Sequence, residues 1–210
     1  MTSARPARRP YAPRLPLAQR REQLLDAALD IALERGFHAV TVDAVARACD
    51  VTRPVVYGAF ADRTALLTAL ADRAEARTLE QLGPVFPSGD LPQDADPDEL
   101  LVAGVAAYLR AVSEDPRTWR VVLLPPEGAP AELAARVDRH RGVLLEQLRV
   151  LLEQGLALRG GPALDPGLFA LAVFTLAEGA ARLVLAEPEQ WPVDRFVAFA
   201  RTVLAALRPV

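Results

Sequence analysis

Apolar side chains recur along this chain at intervals of three and four, and no stretch alternates apolar and polar in sustained twos. That pattern predicts an all-α protein with essentially no sheet. A first helix is expected from about Leu17 to Arg35, apolar at Leu24, Leu25, Ala28, Ile31 and Ala32 and ended by Gly36. Two short helices follow between Thr41 and Phe60. Asp62 then suits the N-cap of a fourth helix through about Leu82, with Leu66, Leu67, Leu70 and Ala74 inward. Gly83-Pro84 stops it, and residues 83–97 read as a breaker-rich loop. Beyond lie expected helices over about 98–113, 116–124 and 130–158. Asp165-Pro166 restarts the chain for a helix to about Ala186, and a last helix runs from about Pro192 to Leu207.

The stretch from Thr41 to Phe60 is the most informative. Val42, Val45, Ala46 and Cys49 give its first short helix one apolar face, with Thr41 as N-cap. Asp50 suits the left-handed turn that must follow. Thr52 is a second N-cap candidate, and Pro54 lies in the first turn of the next helix, where a missing N–H costs little. Val56 and Phe60 share one face, which leaves Arg53, Val55, Tyr57, Gly58 and Ala59 on or near the other. So short a helix offers its outer face to a partner, and a helix-turn-helix offers it to the DNA major groove.

Composition changes the picture in one respect. The net charge of −3 conceals a split, with 10 Arg against 7 acids in residues 1–63 and 14 Arg against 20 acids in 64–210. A basic segment on an acidic body fits a nucleic-acid-binding module joined to a regulatory one. All 24 basic residues are arginine, and six of them fall in the first 21 residues, among four prolines and no acid. Residues 1–16 read as a disordered basic arm, which either enters the minor groove or adds unspecific phosphate attraction. The single cysteine excludes an internal disulfide and suits a cytoplasmic protein. No uninterrupted apolar run approaches the ~18 residues of a membrane helix, and the arginine-bearing N-terminus lacks a secretory core.

The run from Leu24 to Leu70 resembles the DNA-binding domain of the TetR family of bacterial transcriptional regulators. The matching features are Glu34-Arg35-Gly36-Phe37, Thr41-Val42-Asp43, Val45-Ala46, Val51-Thr52, Tyr57 with Phe60, Asp62-Arg63 and Leu66-Leu67. It departs from the family pattern at Ala32, Asp50, Ala59 and Arg63, which stand for an aromatic, a glycine, a histidine and a lysine. The resemblance implies a helix-turn-helix domain over 17–63 and a helical ligand-binding and dimerisation domain of six or so helices over 64–210. It also implies a homodimer on a palindromic double-stranded operator, commonly a repressor released by a small molecule. Arg53 is expected at a base edge with Val55 against a thymine methyl. Thr41, Thr52, Tyr57 and Arg63 are expected at phosphates, with Pro54 and Gly58 completing the surface.

The last two helices carry more apolar and small residues than one buried face requires. Leu176, Gly179, Ala180, Leu183, Phe196, Ala200, Val203 and Leu204 are the expected dimer contacts, in a four-helix bundle by the resemblance; the alternative is packing within the subunit. A ligand cavity is expected inside the body. Tyr108 and Trp119 would orient the ligand, Phe86, Leu123, Phe169 and Phe174 would be apolar wall, and Arg77, Arg120, His140 and Glu178 are polar candidates. Arg77 or Arg120 would meet a ligand carboxylate. Each of these has ordinary packing or a solvated face as its competing reading.

No enzyme motif accompanies this pattern. The two histidines, His38 and His140, are far apart, and HExxH, CxxC, GxSxG and a phosphate-binding glycine loop are absent. His38 reads as a surface or capping residue and Cys49 as a small buried hydrophobe rather than a redox switch. Asp98 and Glu99 sit where they suit a helix dipole. No catalytic residue, cofactor, metal or membrane partner is implied. The competing function is a helical dimer acting through protein contacts without specific DNA binding.

Overall fold

The computed structural model describes residues 15–86, 91–92, 94–159 and 164–207. Among these the chain forms α1 (Leu17–Arg35), α2 (Val42–Ala48), α3 (Arg53–Ala59), α4 (Arg63–Leu82), α5 (Pro97–Glu114), α6 (Pro116–Leu123), α7 (Ala131–Arg159), α8 (Pro166–Ala186) and α9 (Val193–Ala206). Single 3-10 turns at Phe37–Ala39 and Gly83–Val85 are the other regular elements, and no described residue is in a strand. The basic arm, apart from Leu15 and Pro16, falls outside the described residues. Arg20 and Arg21 belong to α1 rather than to a tail.

The helix starts are set by side-chain acceptors for otherwise unpaired amides. Thr41 accepts from the Ala44 amide at 3.1 Å, Asp62 from Ala65 at 2.8 Å and Asp165 from Leu168 at 2.9 Å. Thr52 occupies the N-cap position of α3, yet its hydroxyl makes no capping bond. Asp50 turns the chain between α2 and α3 with φ of 51°, the one non-glycine residue of positive φ described. Gly36 ends α1 with φ of 82°. A Cβ there would lie 2.9 Å from His38 Nδ1 and 3.0 Å from the Glu127 carbonyl, so approach as well as conformation requires glycine.

Three groups of buried side chains hold these helices together. Leu24, Ala28, Val45, Val56 and Leu66 join α1 to α4, and Val121 of α6 and Leu133 of α7 belong to the same cluster. The helix-turn-helix therefore shares its core with the body. Leu109, Val112, Trp119, Ala181 and Val184 tie α5 and α6 to α8. Val102, Ala106, Val197 and Leu204 tie α5 to α9.

This packing corrects part of the outer-face expectation. Ala180 and Leu204 are buried within the subunit, and Phe196 packs against the second cluster while stacking on Trp191 with centroids 5.9 Å apart. One edge of α9 leans on α5, so positions 196, 197, 200 and 204 turn inward and Phe199, Val203 and Leu207 turn out. On α8 the outward residues are Leu168, Leu171, Leu176 and Leu183. By length and composition alone α8 is apolar enough to cross a membrane. Its inner face nevertheless carries buried Glu178, paired with Arg141 of α7.

Candidate functional site

Val56 is fully buried and anchors α3 to the core, which turns Arg53, Pro54, Val55, Tyr57 and Gly58 outward as expected. Arg53 Nε lies 3.1 Å from Asp43 Oδ1 of α2, both side chains remaining more than half exposed. Behind α3, Arg21 of α1 donates from Nη1 to the Ala59 carbonyl at 2.6 Å, its guanidinium 4.4 Å over the Phe60 ring. That brace on the C-terminal end of α3 has no local signal, because its partners are distant in sequence. Arg63, expected at a phosphate, instead donates to the Val40 carbonyl from Nε at 2.7 Å and to the Phe37 carbonyl from Nη2 at 2.8 Å. It thus holds the start of α4 against the turn before α2. The Thr41 hydroxyl accepts from the Ala44 amide in its cap and keeps its own O–H free to donate.

A cavity of about 500 Å³ opens among α4, α5, α6, α7 and α8, within the size range of small-molecule sites. Tyr108, Trp119, Leu123, His140, Phe169, Phe174 and Glu178 line it as expected, as does Phe86. Arg77 and Arg120 do not. Arg77 lies on the flank of α4 that faces α1, with Nη2 4.0 Å from Glu22. Arg120 points along α6 to α8 and donates to the Leu185 carbonyl at 3.1 Å. Each sits about one helical step off the lining face, which is enough to turn a side chain away. Trp119 also departs from its expected role, since its indole N–H donates to Gln81 Oε1 at 2.7 Å and is not free for a ligand.

Three other arginines supply positive charge to the lining, and each is engaged. Arg136 pairs with Asp72, with Glu75 at 3.1 Å and with Glu132 at 2.9 Å. Arg141 pairs with Glu178. Arg159 Nε lies 2.9 Å from Asp98 Oδ1, both side chains buried, and its Nη2 donates to the Leu204 carbonyl at 2.8 Å. Asp98 therefore turns inward to an ion pair, although it also sits in the first turn of α5. His140 Nε2 contacts Glu75 across the α4–α7 wall. The His140 hydrogen bond, with Arg136, holds the Glu75 carboxyl below its usual range despite partial burial.

Tyr108 stands in the middle of this arrangement. Its ring meets Trp119 edge to face with centroids 5.5 Å apart. Burial, reinforced by the Glu178 charge, pushes its phenol far above the ordinary tyrosine range, so the hydroxyl keeps its proton.

The chain matches the family model of bacterial regulatory proteins of the tetR family over residues 24–70, the segment spanning most of α1, then α2, α3 and the start of α4. It is 31% identical over 130 residues to the transcriptional repressor KstR of Rhodococcus jostii, covering 62% of this chain and 58% of that protein. It is 28% identical over 124 residues to the transcriptional activator FasR of Mycolicibacterium smegmatis, covering 59% and 54%. The matches thus span little more than half the length of these curated relatives. Among solved structures, a TetR-like regulator from Rhodococcus sp. RHA1 superposes with a TM-score of 0.70 at 28% identity, over 91% of this chain and 99% of that one. The fold is shared also with FadR of Bacillus subtilis in complex with stearoyl-CoA, at a TM-score of 0.63 and 19% identity over 89% and 96%. The chain is thus similar to bacterial regulatory proteins of the tetR family in its helix-turn-helix head, over residues 24–70, and it shares the all-helical fold of a TetR-like regulator over most of its length.

Proposed function

We propose that this protein is a homodimeric repressor that releases its operator when a small, mainly apolar molecule fills the body cavity. The observation that carries this reading is that the cavity shares α4 with the DNA-reading head. The inner face of α4 lines the cavity through Ala74, Thr78 and Leu82, while its first turns pack Leu66 and Leu70 into the head. A ligand acts only through a difference in affinity between the DNA-competent and incompetent arrangements, and the coupling is reciprocal. In a dimer the two recognition helices must lie about 34–36 Å apart to enter successive major grooves. A tilt of α4 that changes this spacing by a few ångström therefore suffices.

The division of the chain at about residue 63 and the cytoplasmic setting belong to the same reading. So does the assignment of Arg53 and Val55 to bases and of Thr41, Thr52 and Tyr57 to phosphates, with Pro54 and Gly58 between them. The stearoyl-CoA bound by the Bacillus subtilis neighbour supports an acyl chain as the apolar part of the effector. The activator FasR supports a second reading, in which the occupied form drives transcription. Operator titration by gel shift, with competitor DNA at two salt concentrations and with or without thermal-shift hits, separates the possibilities. Hits that stabilise the protein but never weaken operator binding overturn release. Binding that competitor DNA abolishes would favour a helical dimer acting through protein contacts.

A further inference from the structure

The reading above leaves open what kind of molecule the cavity selects, and the chemistry of its wall narrows that. Most of the lining is apolar, with Leu101, Val105, Leu144, Leu148 and Phe169 representative. Its charged groups are already matched. Arg136 faces three carboxylates, Arg141 faces Glu178, and Arg159 faces Asp98 and a backbone carbonyl. A carboxylate entering this space would have to break an existing pair or sit without a partner, and a buried unpaired charge is among the costliest things a cavity can accept.

The neutral hydroxyl and indole groups of the described lining are also accounted for, with one exception. The Thr78 hydroxyl donates to carbonyls of its own helix at 2.9 and 3.0 Å, and the Trp119 N–H is bound to Gln81. The Tyr108 hydroxyl has no hydrogen bond to any described residue. Its position is nonetheless fixed, because the ring leans on Trp119 and Gln81 anchors Trp119 in turn. A rigid, half-buried donor on the cavity wall, without an acceptor among the described residues, is what a ligand oxygen would complete.

We propose that the cavity selects an uncharged, chain-like ligand bearing one hydrogen-bond acceptor, an ester or thioester carbonyl bonded by the Tyr108 hydroxyl, and discriminates against the free carboxylate of the same chain. The proposal rests on the ligand-release reading only in taking the cavity to be the effector site. Tyr108 is then a specificity residue.

The test titrates the full-length protein with methyl decanoate and with decanoate at neutral pH, by calorimetry and thermal shift. The ester should bind at least tenfold more tightly than the acid. Tyr108→Phe keeps the ring on Trp119 and should lower ester affinity about tenfold, a large single hydrogen bond by solution standards, with acid binding unchanged. Equal or tighter binding of decanoate, or ester affinity untouched by Tyr108→Phe, overturns the proposal. So does the failure of the ester to bind. The wild-type comparison of ester and acid decides the matter even if the variant folds poorly. Selective ester binding that leaves operator affinity unchanged supports this selectivity while overturning release, so the two readings fail separately.

Discussion

The backbone amide of Phe37 donates to the Glu127 carbonyl across 2.8 Å, joining the turn after α1 to the loop between α6 and α7. This is a second tie between the helix-turn-helix head and the cavity, independent of α4, since α6 and α7 both contribute cavity wall. Gly36 and Gly128 on either side of the tie have φ of 82° and 73°. At Gly128 a Cβ would meet His38 N at 3.5 Å, an ordinary contact, so an alanine there is disfavoured by backbone conformation rather than by collision. Gly128→Ala should cost about 1–2 kcal/mol, a fall of a few degrees in melting temperature for a chain of this size. If the tie transmits the ligand signal, the drop in operator affinity at saturating ligand should shrink as well. An undiminished drop would leave α4 as the sole coupling element.

Arg53 is held by Asp43 before any DNA is present. The pair is exposed and contributes little to stability, so its value lies in aiming the guanidinium. Arg53→Ala should weaken operator binding by about 1–3 kcal/mol and relax preference at one base pair per half-site. Asp43→Asn should leave melting unchanged, raise affinity for unrelated DNA through the lost negative charge, and narrow the gap between operator and competitor. Uniform weakening of every sequence by Arg53→Ala would make Arg53 a phosphate contact.

Gly58 lies inside α3, and a Cβ built there meets nothing within 4 Å. Its conformation does not require glycine, and on the proposed DNA-facing surface the missing side chain would allow close approach from outside. Gly58→Ala should stabilise the free protein by up to about 1 kcal/mol, since alanine is the better helix former. Operator affinity should fall at the same time. Opposite movement of the two measurements identifies the face that meets the phosphate backbone, whereas unchanged DNA binding would remove Gly58 from it.

How far the sequence revealed this architecture depended on the distance over which each interaction acts. Thr41, Asp62 and Asp165 cap helices through residues three positions away, and Asp50 makes its turn locally, so spacing alone exposed them. The cavity wall required knowing which neighbour covers each helix. Arg77 on α4 and Arg120 on α6 each stand one residue from a lining position, Thr78 and Trp119, and a single step along a helix turns a side chain off that face. The partners of Arg136, Arg141 and Arg159 lie on other helices, and no local pattern announces them. Trp119, read as a ligand contact, is also a buried core residue, so Trp119→Ala would lose about 3–5 kcal/mol of stability and is unsuitable as a binding probe. Phe199 stands four residues before Val203 and eight before Leu207, a spacing that puts all three on one outward face beside the inward-facing Phe196.

The Glu75–His140–Arg136 cluster makes stability pH-dependent. The Glu75 carboxyl is held below its usual range, first by the His140 hydrogen bond and then by Arg136. A depressed carboxylate contributes stability that is present above its unfolded pKa and disappears as pH falls through the folded one. Glu75→Gln should therefore lower the melting temperature at neutral pH, and the gap from wild type should close on acidification below the ordinary glutamate range. Because the side chain is partly exposed, the effect should be modest. A gap that persists at low pH would mean that the variant disturbs packing rather than charge.

The outward apolar stripe of α8 and α9 makes the sharpest distinction among variants. Leu176 is 70% exposed and Phe199 65%, whereas Ala180, in the same stretch of α8, is buried against the second cluster. Exposed apolar residues on both of the last two helices mark an association surface, and a second copy would give the paired recognition helices that specific binding needs. Leu176→Glu and Phe199→Glu should then yield a folded monomer, with helical content intact, a smaller sedimentation coefficient and strongly weakened operator binding. Ala180→Glu should behave differently, placing a carboxylate inside the subunit and lowering the melting temperature. Sedimentation at micromolar concentration checks both. An unchanged dimer in the Leu176 and Phe199 variants would move the interface elsewhere, and a folded monomer from Ala180→Glu would contradict the inward packing of that residue.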